Sequence, residues 1–554
     1  MKLVRLFSIL ILVLAFVTHM FVIMPSGSRY CSDGQCGIYF SGAHEHDAVW
    51  HLAVSETLFN KFPFEMPNMS NTLMHGYNYL LDIVVSSLST VSGIGIPIWF
   101  FKILPVLWFA GMSYLIYKFG RSYRDTPTFP IFLWFFSFFG SSFSYLLRLN
   151  NIQSLWGSSS LLSMQALQDM LNPQFAWSLI PLLLVLLGLV KSKREYSDYV
   201  KYGLYTFIAI GLKFYTGTVM LMILGFDLLI QLTRDYKKVV PQIVNGLIVA
   251  VITTISIWIF YAPGGSNGFP FIFKPLATVN PIIEDKSLFY LPQWAERLYS
   301  YSGLKLAVLE MGVLTIFTIL NYGTRILALL GLATNDDKSN KYAQVLIIVG
   351  SLGSFLLSII FIQKGVWWNT VQFLYVSLFL TGILAAEGMD ILIRTKKVWS
   401  YLMVVVLIIL TIPTNIDVMH TFMKFPGTAY ITSDEIQALS KLRSMPKGVI
   451  LAPLFWQKAQ VGHTPELSHT YDTAFISAYS GQQTYISDLI QLELTNVEYK
   501  QRLDMIARYD CQVLESVNYV YEDKDNQDSN SYGNCGRKLE RVFENATVNV
   551  YRVK

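Results

Sequence analysis

Charge is what this chain has least of. Aspartate, glutamate, lysine and arginine supply 14% of its 554 residues, where a soluble domain carries about a quarter. Hydrophobic residues make up 53% and recur in runs long enough to cross a bilayer. The deficit therefore excludes a soluble globular protein and indicates a polytopic membrane protein. The net charge is only +5. No basic, aromatic-rich tract is present, so nucleic acid is excluded as a partner. Cysteine is also scarce, with four in all. Residues 416–554 contain neither a glycine-rich phosphate loop nor a nucleophile elbow, so this tail reads as binding or structural rather than catalytic.

The first apolar run, Leu6 to Met24, follows Lys2 and Arg5 and lacks an A-x-A cleavage pattern. It is expected to be an uncleaved anchor with its N-terminus inside. Basic clusters follow at Lys118/Arg121/Arg124, Lys191/Lys193/Arg194, Arg234/Lys237/Lys238, Lys338/Lys341 and Arg394/Lys396/Lys397. Placing them all in the cytoplasm gives a self-consistent path. It has a long external loop over 25–96, then spans at 97–118, 127–147, 174–190, 239–261, 304–328, 343–362, 369–390 and 399–415. Residues 202–232 have basic flanks on both sides but are too few for two full spans, so they are expected to form two shortened helices with Lys213 at the tip. Residues 72–95 contain His75, Asn78 and Asp82 and are read as a re-entrant or interfacial part of the first loop. The path gives about 11 to 12 membrane segments at roughly 20 residues each.

Cys31 and Cys36 fall in the first external loop, and Cys511 and Cys535 in the tail. Four extracytoplasmic cysteines suggest two disulfides, and the local pairings are the simplest of the three arrangements. Asn68-Met69-Ser70 and Asn545-Ala546-Thr547 are sequons on the same side. The tail reads as an α/β domain. Strands are expected at Val449–Leu451, Thr473–Ser477, Thr484–Ile486 and Val517–Tyr521, a helix at Val497–Tyr509, and a closing hairpin of Arg541–Phe543 and Thr547–Arg552.

The densest polar cluster is His44-Glu45-His46-Asp47-Ala48-Val49-Trp50-His51, just after the first apolar run. Clustered ionisable groups beside a membrane mark chemistry more often than packing. Asp47 and His51 lie four apart and share a helix face. Asp47 and Glu45 are candidates for a general base on a hydroxyl, or for ligands of a divalent cation (Mg, Mn or Ca). A plain helix cap is the bland alternative. A zinc site of His44, His46 and His51 with Asp47 matches no strong spacing. Lys213, between Leu212 and Phe214 in an apolar segment, is costly unless paired or hydrated, and is a candidate partner for a lipid phosphate. Lys364, Asn369 and Gln372 surround the Trp367-Trp368 pair, where an interfacial aromatic belt is the competing reading. Arg148 and Arg297 add cations on two other outer loops.

With these residues in view, the chain resembles the GT-C-type glycosyltransferases, polytopic enzymes that use polyprenyl-phosphate sugars. Glu45-His46-Asp47 stands where that class has its first-loop acidic motif. Leu73-Met74-His75-Gly76-Tyr77-Asn78-Tyr79 is similar to the continuation of that loop. Gly211-Leu212-Lys213-Phe214-Tyr215-Thr216 resembles the leucine-threonine-lysine-tyrosine-threonine turn of the class. Glu-x-Asp replaces Asp-Glu or Asp-x-Asp, no Pro-Pro follows the first loop, and the Trp-Trp-Asp signature is absent.

The resemblance implies a membrane catalytic domain over 1–415 and an extracytoplasmic domain over 416–554. It implies transfer of a sugar from a polyprenyl phosphate to a hydroxyl of a glycan, lipid or protein, with inversion and with Asp47 as base. Glu45 would orient Asp47 or help hold a metal, whose use varies within the class. His46, His51, His75, Tyr77, Arg148, Lys213, Tyr215, Arg297, Lys364, Asn369 and Gln372 would line the substrate site. The membrane would be a bacterial plasma membrane or the endoplasmic reticulum. The tail would bind the acceptor, so deleting it should alter acceptor use more than donor binding. A lipid-sugar transporter or flippase using Lys213 as its intramembrane charge, and a non-catalytic membrane assembly protein, are the alternatives.

Overall fold

The computed structural model describes residues 2–32, 34–146, 163–191, 194–234, 239–261, 271–280, 292–333, 340–422, 427–452, 466–467, 472–524, 532, 535 and 539–554. Among them, eight helices are long and apolar enough to cross a membrane: Arg5–Ile23, Ile96–Tyr123, Phe214–Arg234, Val239–Tyr261, Gly303–Ala333, Lys341–Ile360, Trp367–Arg394 and Val398–His420. Leu80–Ser92, Phe129–Phe139 and Pro173–Leu189 are shorter apolar helices. The protein is an integral, multi-pass membrane protein. Its chain divides into two compact units. One comprises Met1–Met20, Leu107–Ile259 and Gly268–Thr421. The other comprises Phe21–Val106, Phe260–Asn267 and Phe422–Lys554. The sequence assigned residues 25–96 to the membrane domain and 416–554 to a separate one, yet loop and tail cluster together.

In the first unit the Trp367–Arg394 helix is central, with 89% of its apolar window buried against 22% for Val239–Tyr261. Small residues let its neighbours approach: a side chain at Gly388 would meet the Leu327 carbonyl oxygen at 2.2 Å. The helix also buries Glu387 and Asp390. Arg124 offsets both, with Nε 2.7 Å from Asp390 and Nη1 3.3 Å from Glu387, while the Tyr123 hydroxyl donates to Glu387 at 2.9 Å. Buried charge is tolerated only when paired in this way. Arg124, counted above as a loop charge, is thus an internal ion-pair partner.

Two of the expected membrane segments need correction, those over 127–147 and 202–232. The helix expected over 127–147 covers only Phe129–Phe139. It stops at Gly140, whose carbonyl accepts from buried Arg325 at 3.1 Å and therefore leaves the helical ladder. The segment over 174–190 is Pro173–Leu189, capped by the Asn172 side chain, which accepts from Phe175 N at 3.0 Å. At 17 residues, with Pro181 inside, it is a short helix. The hairpin over 202–232 does break at Lys213, which is extended (φ −159°, ψ 112°). Its arms are unequal, however: Tyr196–Leu212 has 17 residues and Phe214–Arg234 has 21, so only the first is shortened. Within 72–95, the Leu80–Ser92 helix ends at left-handed Gly93 (φ 71°) after 13 residues. That is about 20 Å of helix, too little to span.

In the second unit Ser28–Ser32 and Gln35–Phe40 form an antiparallel hairpin with Cys31 opposite Cys36, and these two cysteines are bonded. The tail strand Ala429–Thr432 pairs antiparallel with Gln35–Phe40, Gly37 facing Thr432. Only glycine fits at 37, because a side chain would meet the Ile431 carbonyl oxygen at 2.1 Å. A five-stranded sheet runs in the order Gln483–Thr484, Val449–Leu451, Tyr519–Asp523, Val548–Val553, Leu539–Glu544. Its first three strands are parallel and the last two join antiparallel. The expected closing hairpin is present, and Cys511 is bonded to Cys535. The strand expected at Thr473–Ser477 is instead the start of a helix, Phe475–Ser480. A short, fully buried apolar run does not distinguish the two by pattern. Both sequon asparagines have structural partners. Asn68 is fully buried and donates to the Ser487 and Asp488 carbonyls, each at 3.1 Å; Asn545 donates to the Asp434 carbonyl at 2.8 Å.

Candidate active site

The acidic motif straddles a change of helix type. Gly42–Glu45 is a 3-10 turn, His46 is the joint, and Asp47–Thr57 is an α-helix, here called the loop helix. Gly42 must be glycine: its φ is +55° and a side chain would lie 2.4 Å from the Phe422 ring. Asp47 occupies the first helical position, where free N–H groups and the helix dipole favour a carboxylate. Its side chain remains 47% exposed, against 0% for Asp488.

His46 lies between these two acids. Its Nδ1 is 3.4 Å from Asp47 Oδ1 and its Nε2 is 3.3 Å from Asp488 Oδ1. Burial alone would lower the imidazole value, but the charges of Asp488 and Asp47 outweigh it and hold His46 protonated well above its ordinary range. Asp488 has a left-handed backbone (φ +50°) and caps the Leu489–Leu494 helix by accepting from Gln491 N at 3.3 Å. Behind it, both oxygens of Asp472 accept backbone N–H groups, from Asp488 and Leu489, each at 2.7 Å. Burial, then the charge of Asp488, push the Asp472 carboxyl up to about 6 despite those bonds.

A second chain of polar groups runs along the same helix. His51 Nδ1 lies 3.0 and 3.1 Å from the two oxygens of Asp82, and Ser55 Oγ donates to Asp82 at 3.2 Å. His51 and Ser55 are one turn apart, so both face Asp82 in the first turn of Leu80–Ser92. On the other side, His51 Nε2 is 3.2 Å from the Tyr77 hydroxyl. Burial, then the charges of Asp47 and Asp82, keep that phenol protonated well above its usual value.

The remaining expected residues fall in several places. Buried Glu45 accepts from the Thr428 hydroxyl at 2.9 Å, which ties the motif to the tail. His75 Nδ1 bonds the Leu73 carbonyl at 2.8 Å. In the first unit, Lys213 is 6% exposed at the helix break. Tyr215 donates to Gln363 at 2.8 Å, as does Asn369, and Gln372 donates to Asn369, so two expected residues meet on Gln363 and the third joins them through Asn369. Lys364 and Arg297 are exposed, and Arg148 lies outside the described residues. Among the described residues no three His, Cys, Asp or Glu side chains converge as metal ligands. Glu45 bonds Thr428 and Asp47 lies against His46. Sequence reasoning missed Asp488, Asp472 and the role of Asp82. The first two are isolated polar residues in a distant segment, and only Asp82, noted as out of place in an apolar run, carried a signal.

No protein-family model matches the chain, and no curated protein matches it in sequence. Solved structures do. The oligosaccharyltransferase of Archaeoglobus fulgidus in complex with zinc and sulfate is similar with a TM-score of 0.50 at 12% identity, over 93% of this chain and 68% of that chain. Its apo form gives 0.49 at 11% identity, over 93% and 69%. ArnT from Cupriavidus metallidurans bound to undecaprenyl phosphate gives 0.46 at 10% identity, over 98% and 97%. At these identities the likeness is one of fold: the chain has a GT-C-like membrane architecture with a small sheet-containing unit.

Proposed function

We propose that the chain is a membrane glycosyltransferase that moves a sugar from a polyprenyl-phosphate donor to an acceptor hydroxyl on the extracytoplasmic face. The observation that carries this reading is Asp47, a half-exposed carboxylate at a helix start, held against a cationic histidine beside a buried second acid. A GT-C-like fold shared with an oligosaccharyltransferase is compatible with it. In this scheme Asp47 accepts the proton of the acceptor hydroxyl as its oxygen attacks the anomeric carbon from the face opposite the phosphate. The bond from that carbon to the phosphate oxygen breaks, and the configuration inverts. His46, 3.4 Å from Asp47 Oδ1, orients the carboxylate. Lys213, at the break of the apolar hairpin, is the proposed partner of the departing phosphate. The N-terminus would then be cytoplasmic and the second unit extracytoplasmic.

The test is release of radiolabelled sugar from a panel of undecaprenyl- and dolichyl-phosphate hexoses and pentoses by purified wild type and Asp47→Asn. Loss of the base should slow turnover by roughly 100-fold or more, with donor binding retained. Equal turnover in both proteins would remove Asp47 as base. Donor transport into liposomes that survives Asp47→Asn would favour the flippase.

A further inference from the structure

We propose that a cavity among the basic ends of four membrane helices holds the phosphate of an anionic lipid headgroup. The site belongs to the first unit alone and is independent of the sugar chemistry.

The cavity has a volume of about 360 Å³, within the range of small-ligand sites, about 300–1,000 Å³. It is bounded by the ends of Pro173–Leu189, Phe214–Arg234, Val239–Tyr261 and Lys341–Ile360. Among the described residues three cations line it, Lys191, Arg194 and Arg234, and no acid does.

The wall is held in place by one acid behind it. Asp227 is fully buried and accepts from three lining side chains: Arg194 Nη1 at 2.5 Å, Gln231 Nε2 at 2.5 Å and the Tyr342 hydroxyl. Gln231 is fixed at its other end as well, where Oε1 accepts from the Tyr199 hydroxyl at 2.9 Å. Its carbonyl accepts from Gln242 Nε2 at 3.1 Å. The donors are therefore ordered before a ligand arrives, which lowers the cost of binding one. Both guanidinium groups lie over the Tyr342 ring, Arg194 at 5.1 Å and Arg234 at 5.3 Å from its centre. Asp227 offsets the first. Among the described residues no carboxylate pairs with Arg234. Lys191, 58% exposed, is 3.6 Å from Asp198, which Lys201 shares at the same distance. Like charges gathered round one void repel one another, and an anion relieves that repulsion.

The surroundings favour a lipid phosphate over a soluble one. Leu189 and Val190 give the cavity an apolar wall. Gln242 is 7% exposed, while its helix neighbours Val240 and Ile243 turn outward at 72% and 45%, so the cavity lies at the rim of the lipid-facing surface. Basic pockets between membrane helices recognise anionic headgroups. With these basic ends inside, as proposed above, the lipid belongs to the cytoplasmic leaflet. Arg234 closes the helix that begins just after Lys213, 21 residues or about 30 Å on, so this phosphate is not the donor's.

The test is lipid binding to the full chain purified in detergent, read by native mass spectrometry, with dioleoyl phosphatidylglycerol or dioleoyl phosphatidylcholine added. Phosphatidylglycerol should bind saturably at one site, and more tightly than phosphatidylcholine. Lys191→Gln/Arg234→Gln, at two exposed positions, should weaken it roughly 30-fold. Lys396→Gln/Lys397→Gln removes the same charge from another exposed basic cluster and should change it less than about twofold. Equal loss in the two double variants would mean diffuse attraction to a basic surface and would overturn the proposal. So would equal binding of the two lipids, or unweakened binding in Lys191→Gln/Arg234→Gln. Glycerol 3-phosphate at the lipid's concentration should not displace it; displacement would overturn the lipid assignment in favour of a soluble phosphate ester. Unfolding without added lipid separates lost binding from lost folding. If Lys191→Gln/Arg234→Gln lowers Tm there, Arg234→Gln alone, expected to bind about fivefold more weakly than wild type, decides the matter.

Discussion

Asp472 commits both carboxylate oxygens to the N–H groups of Asp488 and Leu489, and in doing so sets the turn that carries Asp488 to His46. Its folded value, about 6, lies above the ordinary 3.8. A carboxyl raised in the fold contributes stability that is present below its unfolded value and lost as pH rises through the folded one. The difference corresponds to about 3 kcal/mol. His46 has the same sign: its contribution is present below 6.5 and disappears only as pH passes its raised folded value. Asp472→Asn gives up one backbone acceptor but does not titrate. The stability gap between wild type and this variant, read by thermal unfolding in detergent, should therefore narrow from pH 4 to pH 7. A gap that stays constant or widens would remove Asp472 as the titrating group. At this scale the sequence was half legible. Asp47 stood out because neighbours in sequence, Glu45 and three histidines, announced it. Asp488 did not, because its partner His46 is its neighbour only after folding, and a single aspartate before an apolar helix reads as an ordinary cap.

The elements were legible where hydrophobicity alone decides, and less so where one buried contact does. Runs such as 239–261 and 343–362 became helices within a few residues of the expected bounds. The run at 127–147 did not, because Arg325 takes the Gly140 carbonyl, and nothing near residue 140 in the sequence signals an arginine from a distant helix. The hairpin at Lys213 was legible from the lysine itself, but its unequal arms were not. Its close approach depends on Gly217, where an added Cβ would meet Ile210 Cγ1 at 2.3 Å and the Ile210 backbone N at 3.0 Å. The backbone cannot yield as a side chain can. Gly217→Ala should therefore cost about 1–3 kcal/mol and lower Tm. Gly225, on the same helix with nothing within 4 Å, is the control. There alanine should be neutral or slightly stabilising, since it favours helix by about 1 kcal/mol over glycine. Equal Tm changes in the two variants would mean that the arms do not pack as closely as Gly217 requires.

For the whole molecule, composition sufficed to establish a multi-pass membrane protein, and alternation of strand and helix patterns announced the sheet of the tail. What composition does not encode is which segments, far apart in the chain, share a core. The first loop and the tail do so at several points. Gln35–Phe40 pairs with Ala429–Thr432; Thr484 N bonds the Pro67 carbonyl at 2.9 Å and Ser70 N bonds the Thr484 carbonyl at 3.0 Å; Glu45 accepts from Thr428. A tail that merely bound acceptor would be separable from the loop, and deleting it would leave donor chemistry intact. A tail that completes the loop would not. Phe40 gives its carbonyl to Thr428 N and so faces the tail, and a period of two puts Ile38 on the same edge. In hydrogen exchange by mass spectrometry, a chain ended at residue 421 should lose protection at Ile38 and Phe40 relative to the full protein. The opposite edge, held by Ser28–Ser32 and by the Cys31–Cys36 bond, should lose less. The same truncation removes Asp488 from His46, so donor turnover should fall along with acceptor use. Full protection at Ile38 and Phe40 without the tail would mean that the loop folds alone, and the tail would return to being a separable acceptor-binding domain.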